Sequence, residues 1–250
     1  MKTVVFSDVH LDVGEGDRER RAEFVEFLRG LDGSVERVIV LGDLFDFWFE
    51  YKHVIFSGYF EVLRAFAKLR DRGVELHLVC GNHDYWAGRF LEEDLKFKVH
   101  RDPVLMDFNG KRVLLVHGDG LNKRDWAYRM YRRIARARAV VWAFRRLHPD
   151  RAMGIARWVS RNSRRMSEAR DPEKGSEARA LRAFAQEALR RGEEDVIICG
   201  HAHAPTYEEY ETPTGPGLYI NCGDWMYHRA YVEWDGSAFH LHQREAGQRL

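Results

Sequence analysis

Val38-Ile-Val-Leu-Gly-Asp-Leu-Phe-Asp46 is the stretch from which the rest of the chain is read. Four aliphatic residues run unbroken and three of them are β-branched. That is the pattern of a strand buried on both faces in the middle of a layered sheet. The run stops at Gly42, and Asp43 follows at once. Open α/β sheets carry their chemistry at the carboxyl ends of such strands. A Gly-Asp pair after one strand is most often only a turn, so Asp43 acquires meaning if other strands end in the same way.

Four other apolar runs do end in polar clusters. Thr3-Val-Val-Phe6 leads into Ser7-Asp8-Val9-His10, and Glu75–Cys80 into Gly81-Asn82-His83-Asp84. Lys111–Val116 leads into His117-Gly118-Asp119, and Asp195–Cys199 into Gly200-His201-Ala202-His203. Each cluster has an ordinary explanation by itself: a turn, a type I′ turn for Gly-Asn-His-Asp, or a helix cap. Five in succession, all at strand ends, point to one rim where they converge. Asp8, His10, Asp43, Asn82, His117, His201 and His203 offer seven oxygen or nitrogen donors and no thiolate. This exceeds what one cation needs and suits two cations sharing a carboxylate, with Mn²⁺ preferred and Fe or Zn²⁺ also accommodated. Such a pair, ~3.5–4 Å apart, clamps the attacking and leaving oxygens of a phosphoryl displacement.

The chain has 250 residues and is 45% hydrophobic, enough for a substantial core. No internal repeat or low-complexity linker divides it, so we expect a single domain over residues 1–250. A formal charge of +1 gives no global steering signal. Cys80, Cys199 and Cys222 each lie in an apolar strand-like run, and an odd count in that setting points to buried, reduced thiols. With no signal-like apolar segment at the start and no apolar run near the ~20 residues that span a bilayer, a cytoplasmic protein is expected. Early strands alternate with helices; Asp17 reads as the N-cap of the first helix and Gly73 as the cap closing the second. A later helix is expected from about Glu173 to Arg191. Leu218–Cys222, Ala230–Trp234 and Ala238–His242 read as consecutive antiparallel strands. The order implies an α/β fold with two sheets packed face to face and helices outside.

Residues 122–170 form a long basic helical region. From Lys123 to Arg165 there are fourteen Lys and Arg against two acids, Asp125 and Asp150. Trp126, Met130, Ile134, Trp142, Ile155 and Trp158 are interleaved among them. Helices with one apolar stripe and one cationic face suit an anionic, lipid-like partner or membrane surface. A helical hairpin with a solvated basic face remains open, as does a nucleic-acid patch, although no aromatic-basic stacking pattern favours nucleic acid.

The order Asp-x-His, Gly-Asp-x-x-Asp, Gly-Asn-His-Asp, His, Gly-His-x-His resembles the calcineurin-like metallophosphoesterase superfamily. Gly42–Trp48, Gly81–Trp86, His117–Leu121 and Asn221-Cys-Gly-Asp-Trp225 further resemble its UDP-2,3-diacylglucosamine hydrolase family. The resemblance implies a four-layer α/β/β/α sandwich of two mixed sheets, with residues of about 122–170 forming a helical lid. It implies one metal held by Asp8, His10, Asp43 and His203, a second by Asp43, Asn82, His117 and His201, and a water between them as nucleophile. His83 would contact phosphate and protonate the leaving group, while Asp46 and Asp84 would orient ligand histidines; a helix N-cap is the other reading of Asp46. Asn82, His83, Asp125, Tyr128, Asn162 and Ser163 fall near positions that touch substrate. The implied reaction cleaves the pyrophosphate of a nucleotide-linked acylated sugar to UMP and a lipid monophosphate. Many members carry Arg where this chain has His83, which leaves a close relative of that substrate open. A general phosphodiesterase or nuclease of the same superfamily and a metal-free scaffold are the alternative readings.

Overall fold

A computed structural model describes residues 2–122, 125–167, 175–213 and 215–243, with side chains for all of these except 161–167. Two sheets form the centre. The first contains β1 (Lys2–Phe6), β2 (Val35–Val40), β3 (Glu75–Val79), β4 (Lys98–His100), β10 (Tyr231–Trp234) and β11 (Phe239–His242). Their spatial order is β11-β10-β1-β2-β3-β4. β1 to β4 are parallel neighbours, and the β10–β11 hairpin is added antiparallel to β1. The second sheet contains β5 (Val104–Phe108), β6 (Lys111–Val116), β7 (Val196–Cys199), β8 (Thr206–Thr212) and β9 (Gly215–Asn221), in the order β5-β6-β7-β9-β8.

Alternation along the strands builds the layers. Val4, Phe6, Val38 and Val40 face outward, onto α1 (Arg18–Gly30) and α2 (Phe60–Asp71), through Phe24, Leu28, Leu63 and Phe66. Val5 and Ile39, one residue out of phase, meet Val113, Leu115, Val196, Ile198 and Ile220 of the other sheet. Ile197 and Cys199 face the far side and pack on α6 (Ser176–Arg191) through Leu181, Ala185 and Leu189. A period of two thus sends each central strand into two cores, and the result is a four-layer α/β/β/α sandwich. All three cysteines are buried and unpaired.

Several local expectations change. Leu218–Cys222 does not continue into the next two strands as a meander. β9 belongs to the second sheet, parallel to β7, and the chain then crosses to add β10 and β11 to the first. β4, β5 and β8 were not legible: β4 has three residues, and β8 (Thr-Tyr-Glu-Glu-Tyr-Glu-Thr) is a polar edge strand. Asp17 precedes α1 but makes no side-chain cap. Its carboxylate accepts instead from the Asp12 N–H at 2.7 Å and from Arg20 Nε at 2.5 Å, which fixes the turn after His10. α6 runs from Ser176 to Arg191 with Gly175 extended before it; Glu173 lies outside the described residues.

Between β6 and α6 lie α3 (Trp126–Ala135), α4 (Arg138–Phe144) and α5 (Pro149–Ser167). Aromatic contacts seat them: the Phe144 ring is 5.5 Å from Phe47, 5.0 Å from Phe49 and 5.1 Å from Trp86. Trp86 Nε1 donates to the Ala135 carbonyl at 3.1 Å.

On β3, His77 is buried and stacks on His100 of β4, with ring centroids 5.3 Å apart. Burial pushes its imidazole down to about 4, so the folded chain holds it neutral, whereas an unfolded chain protonates it below about 6.5. Its contribution to stability is therefore intact above 6.5 and lost as pH falls toward 4. Urea midpoints should decline across that window, and His77→Leu should remove this part of the slope.

Candidate metal centre

The carboxyl ends of β1, β2, β3, β6 and β7 lie at one edge of the sandwich, because these strands are parallel within each sheet. The turns that follow are fastened to each other. Asp8 N–H donates to Gly42 O at 3.1 Å, His10 N–H to Asp43 O at 2.9 Å and Gly200 N–H to His117 O at 2.9 Å. Asp8, His10, Asp43, His201 and His203 have φ of 53°, 47°, 54°, 65° and 53°, the left-handed region that non-glycine residues avoid. Such backbone costs on the order of 1–3 kcal/mol per residue and is retained where the surroundings demand it. Five of the eight described non-glycine residues with positive φ are candidate ligands. The strain is therefore concentrated where it aims donors inward.

Three groups of three donors result, each with its donor atoms within 4.8 Å of one another: the triads Asp8/His10/His203 and Asp43/His117/His201, built from expected ligands, and His10/Asp46/His83 beside the first. In the first, His203 Nε2 is 3.3 Å from Asp8 Oδ1 and 3.3 Å from His10 Nε2. Asp43 touches both: its Oδ2 is 3.7 Å from His10 Nε2 and 3.5 Å from His117 Nε2.

Asp8, Asp43 and His117 each have one atom tied to protein and another facing the cluster. Asp8 Oδ2 accepts from the His201 N–H at 2.7 Å and from the Ser7 hydroxyl, while Asp8 Oδ1 has no hydrogen-bond partner among the described residues. Asp43 Oδ1 accepts from the His83 N–H at 2.9 Å, leaving Oδ2 inward. His117 Nδ1 donates to the Leu41 carbonyl at 2.8 Å, and its buried Nε2 has no partner among the described residues. Asn82 Oδ1 is likewise buried without one. Buried polar atoms are normally paired. Inward oxygens and imidazole nitrogens without partners are what divalent cations complete, and fixing of the opposite ring nitrogen is the usual support for a histidine ligand. The donor set fits the ions expected from the sequence.

Electrostatics agree. Burial would raise the Asp43 carboxyl, but His117, His83 and His10 around it hold it far below the usual range. Asp8 is likewise held low against burial, by His203 and His10. Burial would lower His117, yet Asp43 beside it raises it well above its ordinary value. Burial pushes His10 and His201 down.

Gly81 is required by close approach. A Cβ there would overlap the Asp43 carboxylate and stand 2.9 Å from the Asp43 nitrogen. We expect Gly81→Ala to weaken divalent-cation binding about 10–100-fold, the range for disturbing a ligand's support. Titration calorimetry with Mn²⁺ checks this, with the circular dichroism spectrum unchanged.

The other expected site residues sort themselves by contact. His83 Nδ1 donates to the Asp46 carbonyl at 2.7 Å, and its Nε2 stands 3.9 Å from Asp43 Oδ2. Asp46 begins no helix, which removes the N-cap reading. Its Oδ1 lies 3.7 Å from His10 Nδ1. Asp84 makes no hydrogen bond to a histidine among the described residues. Its oxygens accept from the Gly81 N–H at 2.7 Å and the Leu44 N–H at 3.1 Å, tying together the turns after β3 and β2. Burial and the neighbouring Asp43 charge push its carboxyl up to about 7. Asp125 caps α3 by accepting from the Tyr128 N–H at 2.9 Å. The Tyr128 ring is 6.2 Å from that of His201. The side chains of Asn162 and Ser163 lie outside the described residues.

Sequence reasoning missed three supports. Buried Asp119 pairs with Arg132 Nε at 2.8 Å and Arg136 Nη2 at 3.1 Å, anchoring α3 beside His117. Arg136 also lies over the Tyr85 ring at 3.8 Å. Asn221 Nδ2 donates to the Gly200 carbonyl at 2.8 Å and steadies the turn that carries His201. Ser160 Oγ, from α5, donates to Asp46 Oδ1 at 2.7 Å. The charge and position of Asp119 two residues after His117 were a usable signal; nothing local marked Ser160.

A two-sheet sandwich with paired Asp/His triads at one rim, joined through a shared carboxylate, defines a metal-dependent phosphoesterase. The chain belongs to the calcineurin-like phosphoesterase family, whose profile matches residues 1–205. Within that class it is similar to proteins named UDP-2,3-diacylglucosamine hydrolase. The protein of that name from Porphyromonas gingivalis is 31% identical over 245 residues, covering 91% of this chain and 90% of the relative. Those from Aeromonas salmonicida (32% identical, covering 90% of this chain and 87% of the relative) and Azotobacter vinelandii (31%, 96% and 98%) align over similar lengths.

Proposed function

We propose that this protein is a dimetal hydrolase that cleaves the pyrophosphate of UDP-2,3-diacylglucosamine to UMP and the lipid monophosphate. The observation that carries the chemistry is Asp43 Oδ2, within 3.7 Å of His10 Nε2 and 3.5 Å of His117 Nε2. The names of relatives aligned over nine-tenths of the chain carry the substrate. Asp8, His10, Asp43 and His203 would hold one cation, and Asp43, Asn82, His117 and His201 the other. Mn²⁺ suits the mixed oxygen and imidazole donors. Divalent cations bound there supply Lewis acidity and charge neutralisation for phosphoryl displacement. His83, with Nδ1 committed to the Asp46 carbonyl, has only Nε2 to present to the diphosphate. As the imidazolium it donates a hydrogen bond there and gives a proton to the departing oxygen.

The helices α3–α5 act as the lid in this reading. Tyr128, beside His201, lines its inner edge together with Asp125, while Asn162 and Ser163 follow on α5. Trp126, Trp142 and Trp158 are 72%, 60% and 67% exposed, with arginines between them. Aromatic and apolar side chains would receive the acyl chains, and the arginines would meet the diphosphate and anionic headgroups. No helix among the described residues is long and apolar enough to cross a membrane. In this reading the enzyme works in the cytoplasm and draws its lipid-linked substrate from the membrane surface.

The Mn²⁺-loaded protein should release UMP from UDP-2,3-diacylglucosamine, and shortening the acyl chains should reduce the rate. Absence of UMP, with turnover of bis-p-nitrophenyl phosphate, would assign it to the general phosphodiesterases instead.

A further inference from the structure

We propose that Ser160, on lid helix α5, is a positioning residue for the first cation. Through the Asp46 carboxylate it fixes the imidazole of His10, so docking of α5 and loading of the Asp8/His10/His203 cluster are coupled. This rests on the metal centre proposed above.

α5 buries a stripe made of Ala152, Met153, Ala156 and Ser160, while Ile155, Trp158 and Val159 stay exposed. Three members are apolar. The fourth is a hydroxyl at the place where the stripe reaches the metal loops. Ser160 is 3% exposed, and its Oγ donates to Asp46 Oδ1 at 2.7 Å. The same oxygen is 3.7 Å from His10 Nδ1, a buried atom with no hydrogen-bond partner among the described residues. The opposite nitrogen, Nε2, faces Asp8 Oδ1 at 3.6 Å and Asp43 Oδ2 at 3.7 Å. A carboxylate behind a histidine ligand sets its tautomer and ring angle. Here that carboxylate is steered from the lid.

A second contact lies one turn earlier. Arg157 Nη2 and Nε are 3.0 Å and 3.1 Å from Asp12 Oδ2, two residues beyond His10. α5 therefore grips the His10 segment on both sides. Among the described residues, the second triad has no such connection to α5. Its histidines are held by the Leu41 carbonyl and the Gly200 turn, both part of the sandwich. Lid movement that admits substrate should accordingly loosen one cation and leave the other. By reciprocity, loading the first site should hold α5 down.

The test is Mn²⁺ titration calorimetry on the full chain carrying Ser160→Ala, alongside hydrogen exchange of peptides from 149–160. Ser160→Ala should weaken one binding event about 10–100-fold and leave the other within about threefold, and Ser160→Thr should restore the weakened event. Mn²⁺ should slow exchange in α5 of the unmodified protein and do so less in Ser160→Ala. Ser160→Cys, which keeps the volume with a poorer donor, is read the same way if the alanine variant does not fold. Two unchanged events, or two weakened alike, would overturn the coupling while leaving the metal centre standing. Unmodified protein that binds no Mn²⁺ would overturn the metal centre and this proposal together.

Discussion

Asp43→Ala should empty both cation positions and reduce hydrolysis to background. The Asp43 carboxylate places one oxygen beside imidazoles of both triads, while its other oxygen holds the His83 backbone N–H. Removing it takes a ligand from each cation and also frees the turn after β3. It further strips His117 of the negative charge beside its imidazole. Asp43→Asn is the milder companion: asparagine tolerates the φ of 54° at this position and still accepts from His83, but carries no charge. Metal analysis after dialysis against Mn²⁺ should find two ions per chain in the unmodified protein and near zero in the alanine variant, with unchanged circular dichroism. Retention of both ions would remove Asp43 from the bridge.

His83→Ala should behave differently, retaining both cations and losing turnover by about 10²–10⁴, the range for a general acid. His83 is not in either ligand triad. Its ring stands edge-on to His10 with centroids 4.8 Å apart, and its Nε2 is 3.9 Å from Asp43 Oδ2. That places it beside the two triads, in a third group with His10 and Asp46. Because Nδ1 is fixed by the Asp46 carbonyl, the loss should fall on kcat more than on metal affinity. His83→Arg offers a phosphate donor that cannot readily give up a proton, so binding should recover more than turnover. Full activity in His83→Ala would exclude it from the reaction.

The first layer of the site was legible because each donor follows a recognisable apolar run, and parallel strands bring their ends together. Asp8, Asp43, Asn82, His117 and His201 follow strands β1, β2, β3, β6 and β7 within three residues. The three-core, four-layer arrangement was legible for a related reason: unbroken runs such as Val38–Leu41 must be covered on both faces. The second layer was not legible. Ser160 meets Asp46 across 114 residues of sequence, and its neighbours show only an amphipathic helix. Asp84 was misassigned because a carboxylate two residues beyond a ligand can serve a side chain or a backbone equally well. Only coordinates show its oxygens on the Gly81 and Leu44 N–H groups. The fate of β9 was hidden because Leu218-Tyr-Ile suits either sheet. In the structure it lies parallel to β7, and Asn221 at its end bonds to the Gly200 turn.

The most direct test of the central claim is anomalous diffraction from crystals of the Mn²⁺-loaded protein. The account predicts two peaks at the rim, one against Asp8, His10 and His203, the other against Asn82, His117 and His201, with the Asp43 carboxylate between them. A single peak, or two peaks that do not share Asp43, would contradict it.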